Sequence, residues 1–318
     1  MTLKYLFLFV FFCVFFSVSC FAQPITYGFH TKDTSYKKQI VDSLSLSTEF
    51  LLTLKPEKSV YVYDFKYSMS GRKSQEVGDN TKPQFQAYTK STHTLELKPN
   101  SPTTYNCLLK CSPLTLYGTQ ITNRGTLKDS SFHVDDYKYK NASFDINNYS
   151  SLSKFTDNYQ SVMEYPGILR IRALFTEDLD RKFIRYLFPK YTPDKLEVGD
   201  EWNVQYKDSN TTMTAPIIYT FNLDYKVVSL STKDNRNVVT IEFKSNNNKI
   251  YQKSFPDTEF ENTMEAVDYI FGVYEIDLKT GIPLTLTANS RVEVVSKDFN
   301  QRVVDAKRMD QKFELKLL

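Results

Sequence analysis

From Thr263 to Leu318 apolar and polar residues alternate in three long runs, broken at Lys279-Thr280-Gly281 and again at Lys297 to Asn300. Met264, Ala266, Ile270, Tyr274, Ile276 and Leu278 are all even-numbered, and so are Ile282, Leu284, Leu286, Ala288, Val292 and Val294. Strand side chains point alternately to opposite faces, so both sets share a face only if the loop between them has an odd number of residues. Pairing Leu278 with Ile282 leaves three loop residues and puts Gly281 last, where a three-residue hairpin wants a left-handed residue. A second turn at Lys297 to Asn300 pairs Val294 with Val303, which sets Ala288 against Met309, Leu284 against Phe313 and Ile282 against Leu315. Val292 opposite Asp305 and Leu286 opposite Gln311 fit less well. On the odd face of the first run Val267, Tyr269, Phe271 and Val273 are apolar too, so one face can meet a covering helix and the other a second layer or a cavity. Strands of about fifteen residues span ~50 Å and twist and curl instead of lying flat.

The same period-two signal recurs upstream. Phe50, Leu52 and Leu54 alternate, Lys55-Pro56-Glu57-Lys58 breaks the run, and Tyr61, Tyr63, Phe65, Tyr67 and Met69 alternate again, which predicts a hairpin with an aromatic face. Further strands are expected over Phe85 to Leu97 and Cys107 to Ile121, and short alternating pieces over Asp129 to Tyr165. Pro166-Gly167 marks a change of texture. After it comes one helix near 176–188: Thr176 as N-cap, acids in the first turn, Leu179, Phe183, Tyr186 and Leu187 as the apolar stripe, and Pro189 as its end. Tyr219 to Val227 and Val239 to Phe243 form another hairpin, followed by a polar loop, Ser245 to Lys249. The acidic segment Asp257 to Asp268 leads into the final meander, and Thr258 with Glu261 offers a rival helical start there.

The fold class is therefore mainly β: long-stranded antiparallel sheet or sheets, curled into a half-barrel or packed as a sandwich, with one covering helix. The organisation is a signal peptide over 1–22, a β-rich region over 23–165 and a second over 166–318, the last two also readable as one continuous domain. Composition agrees, with 22 Tyr, 24 Phe and 1 Trp favouring pleated, half-buried surfaces. The formal charge is only +3 and no block of five like charges occurs, which argues against a nucleic-acid partner. Lys4, the apolar run Tyr5 to Val18 and Cys20-Phe21-Ala22 before Gln23 make a cleaved export signal, with cleavage between Ala22 and Gln23. A lipid anchor at Cys20 is the alternative. No later stretch is apolar enough for a transmembrane segment, so the expected location is secreted, periplasmic or outer-envelope. Cys107 and Cys111 stay after cleavage, either bonded or as two buried thiols.

Candidate chemistry is sparse. His30, His93 and His133 are far apart in sequence, without paired zinc-ligand spacing, and no nucleophile elbow or glycine-rich phosphate loop occurs. Asp257, Glu259, Glu261, Glu265 and Asp268 form an acidic cluster that lacks calcium-loop spacing and reads as a solvated face. Neither catalytic residues, metal ligands nor a cofactor is expected, and the chain is read as a non-enzyme. The residues singled out as ligand-facing are Tyr61, Tyr63, Phe65, Tyr67, Tyr269 and Phe271, although rows of aromatics on strands are far more often a cross-strand core.

The order of helix, Phe188-Pro189, Val198-Gly199-Asp200-x-Trp202, long strands, then Ile276-Asp277-x-x-Thr280-Gly281-Ile282-Pro283 resembles a family of uncharacterised exported β-rich proteins of Gram-negative bacteria that share G-D-x-W and D-x-x-T-G motifs. The resemblance covers Leu174 to Leu318 and implies no activity, hence no functional residues. Long curled strands under a helix also look like the periplasmic half-barrels that carry lipids or lipoproteins, an analogy of fold alone. The leading expectation is an exported protein that binds an apolar ligand or envelope component, with a lipid or envelope component as partner. A structural or interaction module on the cell surface and a carboxylate-based hydrolase are the alternatives.

Overall fold

In the computed structural model the alternating runs become, among the described residues, thirteen strands: β1 (Val60–Lys73), β2 (Phe85–Ser101), β3 (Thr104–Cys111), β4 (Leu114–Ile121), β5 (Leu127–Val134), β6 (Asn141–Asn147), β7 (Leu152–Asp157), β8 (Glu201–Asn210), β9 (Ile217–Lys233), β10 (Arg236–Ser254), β11 (Asn262–Asp277), β12 (Ile282–Lys297) and β13 (Val303–Leu317). The structure describes residues 49–73, 85–111, 114–121, 127–134, 141–157, 184–210, 217–254 and 261–318. The export signal with Ala22 and Gln23, Cys20, the Pro166-Gly167 boundary and the first turns of the expected helix lie outside the described residues. All thirteen strands belong to one antiparallel sheet in the order β7-β6-β3-β2-β1-β13-β12-β11-β10-β9-β8, with β4 pairing β2 and β5. Strands on either side of the 165/166 boundary are thus joined directly, Tyr63 lying opposite Leu317.

The β11–β12 pairing follows the parity argument. Tyr274 faces Leu286, Gly272 faces Ala288 and Ile270 faces Ser290, the register set by matching 278 with 282. The turn itself is one residue longer than expected. Asp277 pairs with Ile282, so the loop is Leu278 to Gly281, and an irregularity beside Pro283 restores the register. Asp277 explains the longer loop: its carboxylate accepts from Lys279 N and Thr280 Oγ1, both at 3.0 Å, and its carbonyl accepts from Gly281 N at 2.8 Å. Aspartate side chains that bond the backbone two residues on stabilise such turns. Asp277→Ala is expected to cost about 1–2 kcal/mol in urea unfolding, from two side-chain bonds lost at a partly buried turn; no change in the midpoint would mean that the turn holds without them.

Three expectations are corrected. The β12–β13 register is displaced by four residues from the one expected: Leu286 faces Leu315, Ala288 faces Phe313 and Val292 faces Met309. The turn is the five residues Asp298 to Arg302, in which Asp298 Oδ1 accepts from Asn300 N and Arg302 N at 2.9 Å. Phe50, Leu52 and Leu54 do not form a strand of a hairpin with β1, whose partners are β2 and β13. Ser245 to Lys249 is no loop, because β10 runs through it with a bulge between Ser245 and Asn248.

The expected helix is seen as a helical turn at 184–187, and it is buried on every side, not along one stripe. The turn and the residues after it form a plug. Lys190 donates its main-chain N–H to Tyr225 Oη on β9 at 3.4 Å, and its carbonyl accepts from Trp202 Nε1 on β8 at 2.8 Å. Its Nζ donates to Ser150 O, between β6 and β7, at 2.6 Å. In the sheet order β6 and β9 are eight strands apart, which on a flat sheet is about 38 Å. One lysine cannot bridge that distance, so the sheet is curled until its two ends approach the same residue. Residues 49–57 complete the plug: Leu54 N donates to Asn148 O at 2.8 Å, Lys55 N to Thr280 O at 2.7 Å, and Phe50 pairs with Leu196.

Candidate functional site

The inner face of the curled sheet changes character along its length. Beside the plug it is aromatic. Trp202 stacks on Tyr225 with ring centroids 5.1 Å apart, Tyr225 lies 6.0 Å from Phe243, and Phe243 lies 5.0 Å from Tyr274. On the other side Tyr67 stacks on Phe313 at 5.2 Å. Tyr186 of the plug meets both groups, 6.2 Å from Phe243 and 5.5 Å from Phe313, and its carbonyl accepts from Tyr274 Oη at 2.8 Å. Pleating makes such a floor from sequence: every second residue of β1, β9, β10 and β11 points inward, and there those positions are Tyr, Phe, Leu, Ile or Val, apart from Gly272, which leaves room for the Phe243 ring.

Farther from the plug the same inward parity brings polar side chains. On β2 the buried positions pass from Leu97 and Leu95 to His93, Ser91 and Thr89. On β10 to β13 they are Ser245, Asn248, Asp268, Ser290 and Gln311, all buried. Ser290 Oγ donates to Asp268 Oδ1. Asn248 Oδ1 accepts from Asn222 N at 2.9 Å, and Gln311 Nε2 donates to Met69 Sδ at 3.8 Å. Asp268 thereby departs from the expected solvated acidic face, and so does Glu261, 15% exposed and paired with Lys253 at 3.0 Å, whereas Glu265 keeps to it, half exposed and paired with Lys297 at 2.7 Å; Asp257 and Glu259 lie outside the described residues.

The outer face carries charge in rows. Lys66 pairs with Glu314 at 3.7 Å, Lys90 with Asp64 at 3.8 Å, Arg291 with Asp310 at 3.3 Å and Lys226 with Glu201 at 2.7 Å. A lipid-spanning barrel alternates the other way, apolar outward and polar inward. Where these pairs lie, on β1, β2, β8, β9, β12 and β13, the outer face is built to meet water. Among the described residues no helix is long and apolar enough to cross a membrane.

Burial governs the titratable groups inside. Desolvation holds His93 down to about 3, and its Nε2 lies 2.8 Å from Ser91 Oγ. An imidazole that weakly basic would draw little proton density from the serine near neutral pH. Burial pushes the thiol of Cys107 up, and Cys107 is free rather than bonded to Cys111. A buried thiol of that kind is unreactive. Burial also lowers Lys190 to about 8, against a smaller opposing pull from Asp208. Arg185 lies 3.8 Å above the Tyr219 ring and donates from Nε to Asp208 Oδ2 at 2.9 Å. Among the described residues no three His, Cys, Asp or Glu side chains are grouped to hold a metal ion.

Of the aromatic residues singled out in the sequence, Tyr61, Tyr63, Phe65 and Tyr67 are brought together on the inner face of β1 and buried. Tyr269 and Phe271 stand on the outer face of β11, 38% and 48% exposed. The buried polar side chains were the residues that sequence reasoning missed. Their signal was parity, since Asp268 and Ser290 are even-numbered like the core of their strands.

No protein-family model matches the chain, and no curated protein matches it. Among solved structures it is similar to the COG4313 outer membrane channel from Pseudomonas putida F1, at 8% identity and TM-score 0.23 over 84% of this chain and 98% of that one. It is also similar to OccK5 (OpdH) of Pseudomonas aeruginosa, at 6% identity and TM-score 0.20 over 81% of this chain and 97% of that one. A protein of the DUF3598 family from Nostoc punctiforme PCC 73102 matches at 12% identity and TM-score 0.11, over 80% of this chain and 96% of that one.

Proposed function

We propose that this is an exported, non-enzymatic protein of the cell envelope that holds a mainly apolar ligand inside its curled sheet. The observation that carries the reading is the orientation of the sheet: aromatic floor and buried interior on one face, paired charges on the other. A curled antiparallel sheet with an apolar inside and a wet outside is a container for an apolar molecule that must cross an aqueous space. The suppressed basicity of His93 supports a role without acid–base catalysis. The cleavable signal expected at Ala22 and Gln23 supports export.

The test is made on the full chain, expressed with its leader and purified without detergent. Organic extraction and mass spectrometry are expected to recover an acyl-chain molecule in near-stoichiometric amount, and the extracted protein is expected to bind an environment-sensitive apolar dye saturably. No recovered lipid together with no saturable dye uptake would rule the reading out.

A further inference from the structure

The two ends of the sheet order differ in how their edges are guarded. At one end β7 is six residues long, its pairing with β6 slips between Ser143 and Asp145, and Lys154 within it has φ +51°. Short, irregular edge strands are one way in which sheets avoid joining other chains. At the other end β8 has neither device. It runs for ten residues without proline, pairs with β9 without a register shift, and has no strand on its far side among the described residues. Such an uninterrupted edge offers a row of main-chain donors and acceptors to any strand that matches it. Its inward side chains Trp202, Val204 and Tyr206 are only partly buried against the core. Its outward ones, Glu201, Asn203, Gln205 and Lys207, are exposed, and Lys207 faces Thr220 of β9 with no carboxylate paired to it among the described residues.

We propose that a second copy of this chain joins here, the two β8 strands pairing antiparallel about a twofold axis at Val204. Residues directly opposite in an antiparallel pair share a face. The axis therefore sets Glu201 against Lys207 of the second copy and Asn203 against Gln205 of the second copy on the outer face, and Trp202 against Tyr206 of the second copy on the inner one, each pair occurring twice. Each Lys207 gains the carboxylate that it lacks on its own sheet. Acid and base stand three residues either side of Val204, which is what a self-complementary contact requires, since each copy must offer both halves of the pair. The register is selective. An axis at Gln205 would put Trp202 opposite Asp208, and one at Tyr206 would put Val204 opposite it, although Asp208 is already held by Arg185. An axis at Asn203 would leave Lys207 beyond the start of the second strand. Opposite-charge and aromatic cross-strand pairs contribute roughly 0.2–1 kcal/mol each, and the axis doubles every one. The pairing does not depend on what the interior of the sheet holds.

Sedimentation velocity on the full chain, purified without detergent and loaded from about 1 to about 200 µM, tests the pairing; the contact is small, so a dimer with a dissociation constant on the order of 10 µM is expected. Lys207→Glu sets acid against acid at both ends of the pairing and is expected to weaken the dimer at least about tenfold. Glu201→Lys combined with Lys207→Glu exchanges the charges and is expected to restore the affinity to within about threefold of the wild type. Both side chains are exposed, so each variant is expected to unfold in urea near the wild-type midpoint. A wild-type chain that stays monomeric at the highest concentration overturns the proposal. So does a dimer that Lys207→Glu leaves as tight as before, or that the charge exchange fails to restore. Hydrogen exchange needs no variant: amides on the far edge of β8 are expected to slow as the wild-type concentration rises through the dissociation constant, and slowing confined to other strands places the contact elsewhere and overturns the pairing.

Discussion

Gly281→Ala is expected to destabilise the protein by about 3 kcal/mol, through two effects that add at one residue. Gly281 has φ +65°, where an L side chain costs roughly 1–2 kcal/mol. A Cβ there would also lie 2.3 Å from Thr53 O and 2.7 Å from Thr53 C. Those are backbone atoms of the plug, and they cannot move aside without lengthening the bonds from Lys55 N to Thr280 O and from Leu54 N to Asn148 O. Gly199 provides the control. Its φ is +105° but no atom lies within 4 Å of the Cβ position, so Gly199→Ala should show backbone strain alone. Thermal unfolding would report the pair: a fall of about 6–12 °C for Gly281→Ala, on the scale of 2–4 °C per kcal/mol, and a clearly smaller fall for Gly199→Ala. Equal falls would show that the contact between plug and turn contributes nothing.

Stability should be bounded by His93 in acid and by buried tyrosines in alkali. The folded-state value of His93, about 3, is below the unfolded value of 6.5. Between those two pH values the unfolded chain binds a proton that the folded chain refuses, so stability is full above about 6.5 and falls by about 1.4 kcal/mol per pH unit below it. Tyr63, Tyr191, Tyr206, Tyr225 and Tyr274 are shifted the opposite way, all raised by burial. Their folded forms keep protons that the unfolded chain has lost above pH 10, so stability falls there, by up to about 7 kcal/mol per pH unit for five groups acting together. Lys190 works against this limb between about 8 and 10.5, because its lowered value makes folding more favourable as pH rises, but it is one group against five. Urea midpoints across pH should therefore stay level from about 7 to 8, rise between about 8 and 10 as Lys190 titrates, and fall steeply above 10. His93→Gln, which keeps a polar partner for Ser91, should remove about one proton's worth of slope between pH 3 and 6.5. Identical acid slopes in the two proteins would contradict the assignment to His93.

The register errors and successes have one physical explanation. Alternation with period two fixes which face a side chain takes, and an odd slip would turn Ile270 or Ala288 outward, so parity was legible. An even slip leaves every face unchanged. The four-residue displacement of β13 therefore passes the parity test, and it is decided by cross-strand partners: Val292 with Met309, Leu286 with Leu315, and Ser290 with Gln311 in place of the poorer pairs. For β11 and β12 a tight turn with Asp277 and Gly281 kept the register and lengthened only the loop, by one residue, whereas Asp298 to Arg302 forms a longer loop that the sequence did not delimit. The candidate site was legible in part for the same reason. The aromatic face of β1 stood out because Tyr61, Tyr63, Phe65 and Tyr67 are uniform, while the buried polar side chains of β10 to β13 come from four separate strands and are assembled only by pairing.

By itself the sequence determined the local features: strand period, inward parity, the turn closed by Gly281, and a mainly β class. These depend on dihedral preferences and on side chains a few residues apart. Only the tertiary structure decided that β1 pairs with β13 from the other end of the chain, and that Phe50 to Leu54 belongs to a plug and not to a strand. It also decided that Lys190 draws both ends of the sheet together and that Asn248, Asp268 and Gln311 are enclosed. Each of those outcomes depends on closing long loops, whose cost grows only slowly with length, so many partners are nearly equal until side chains from distant strands pack.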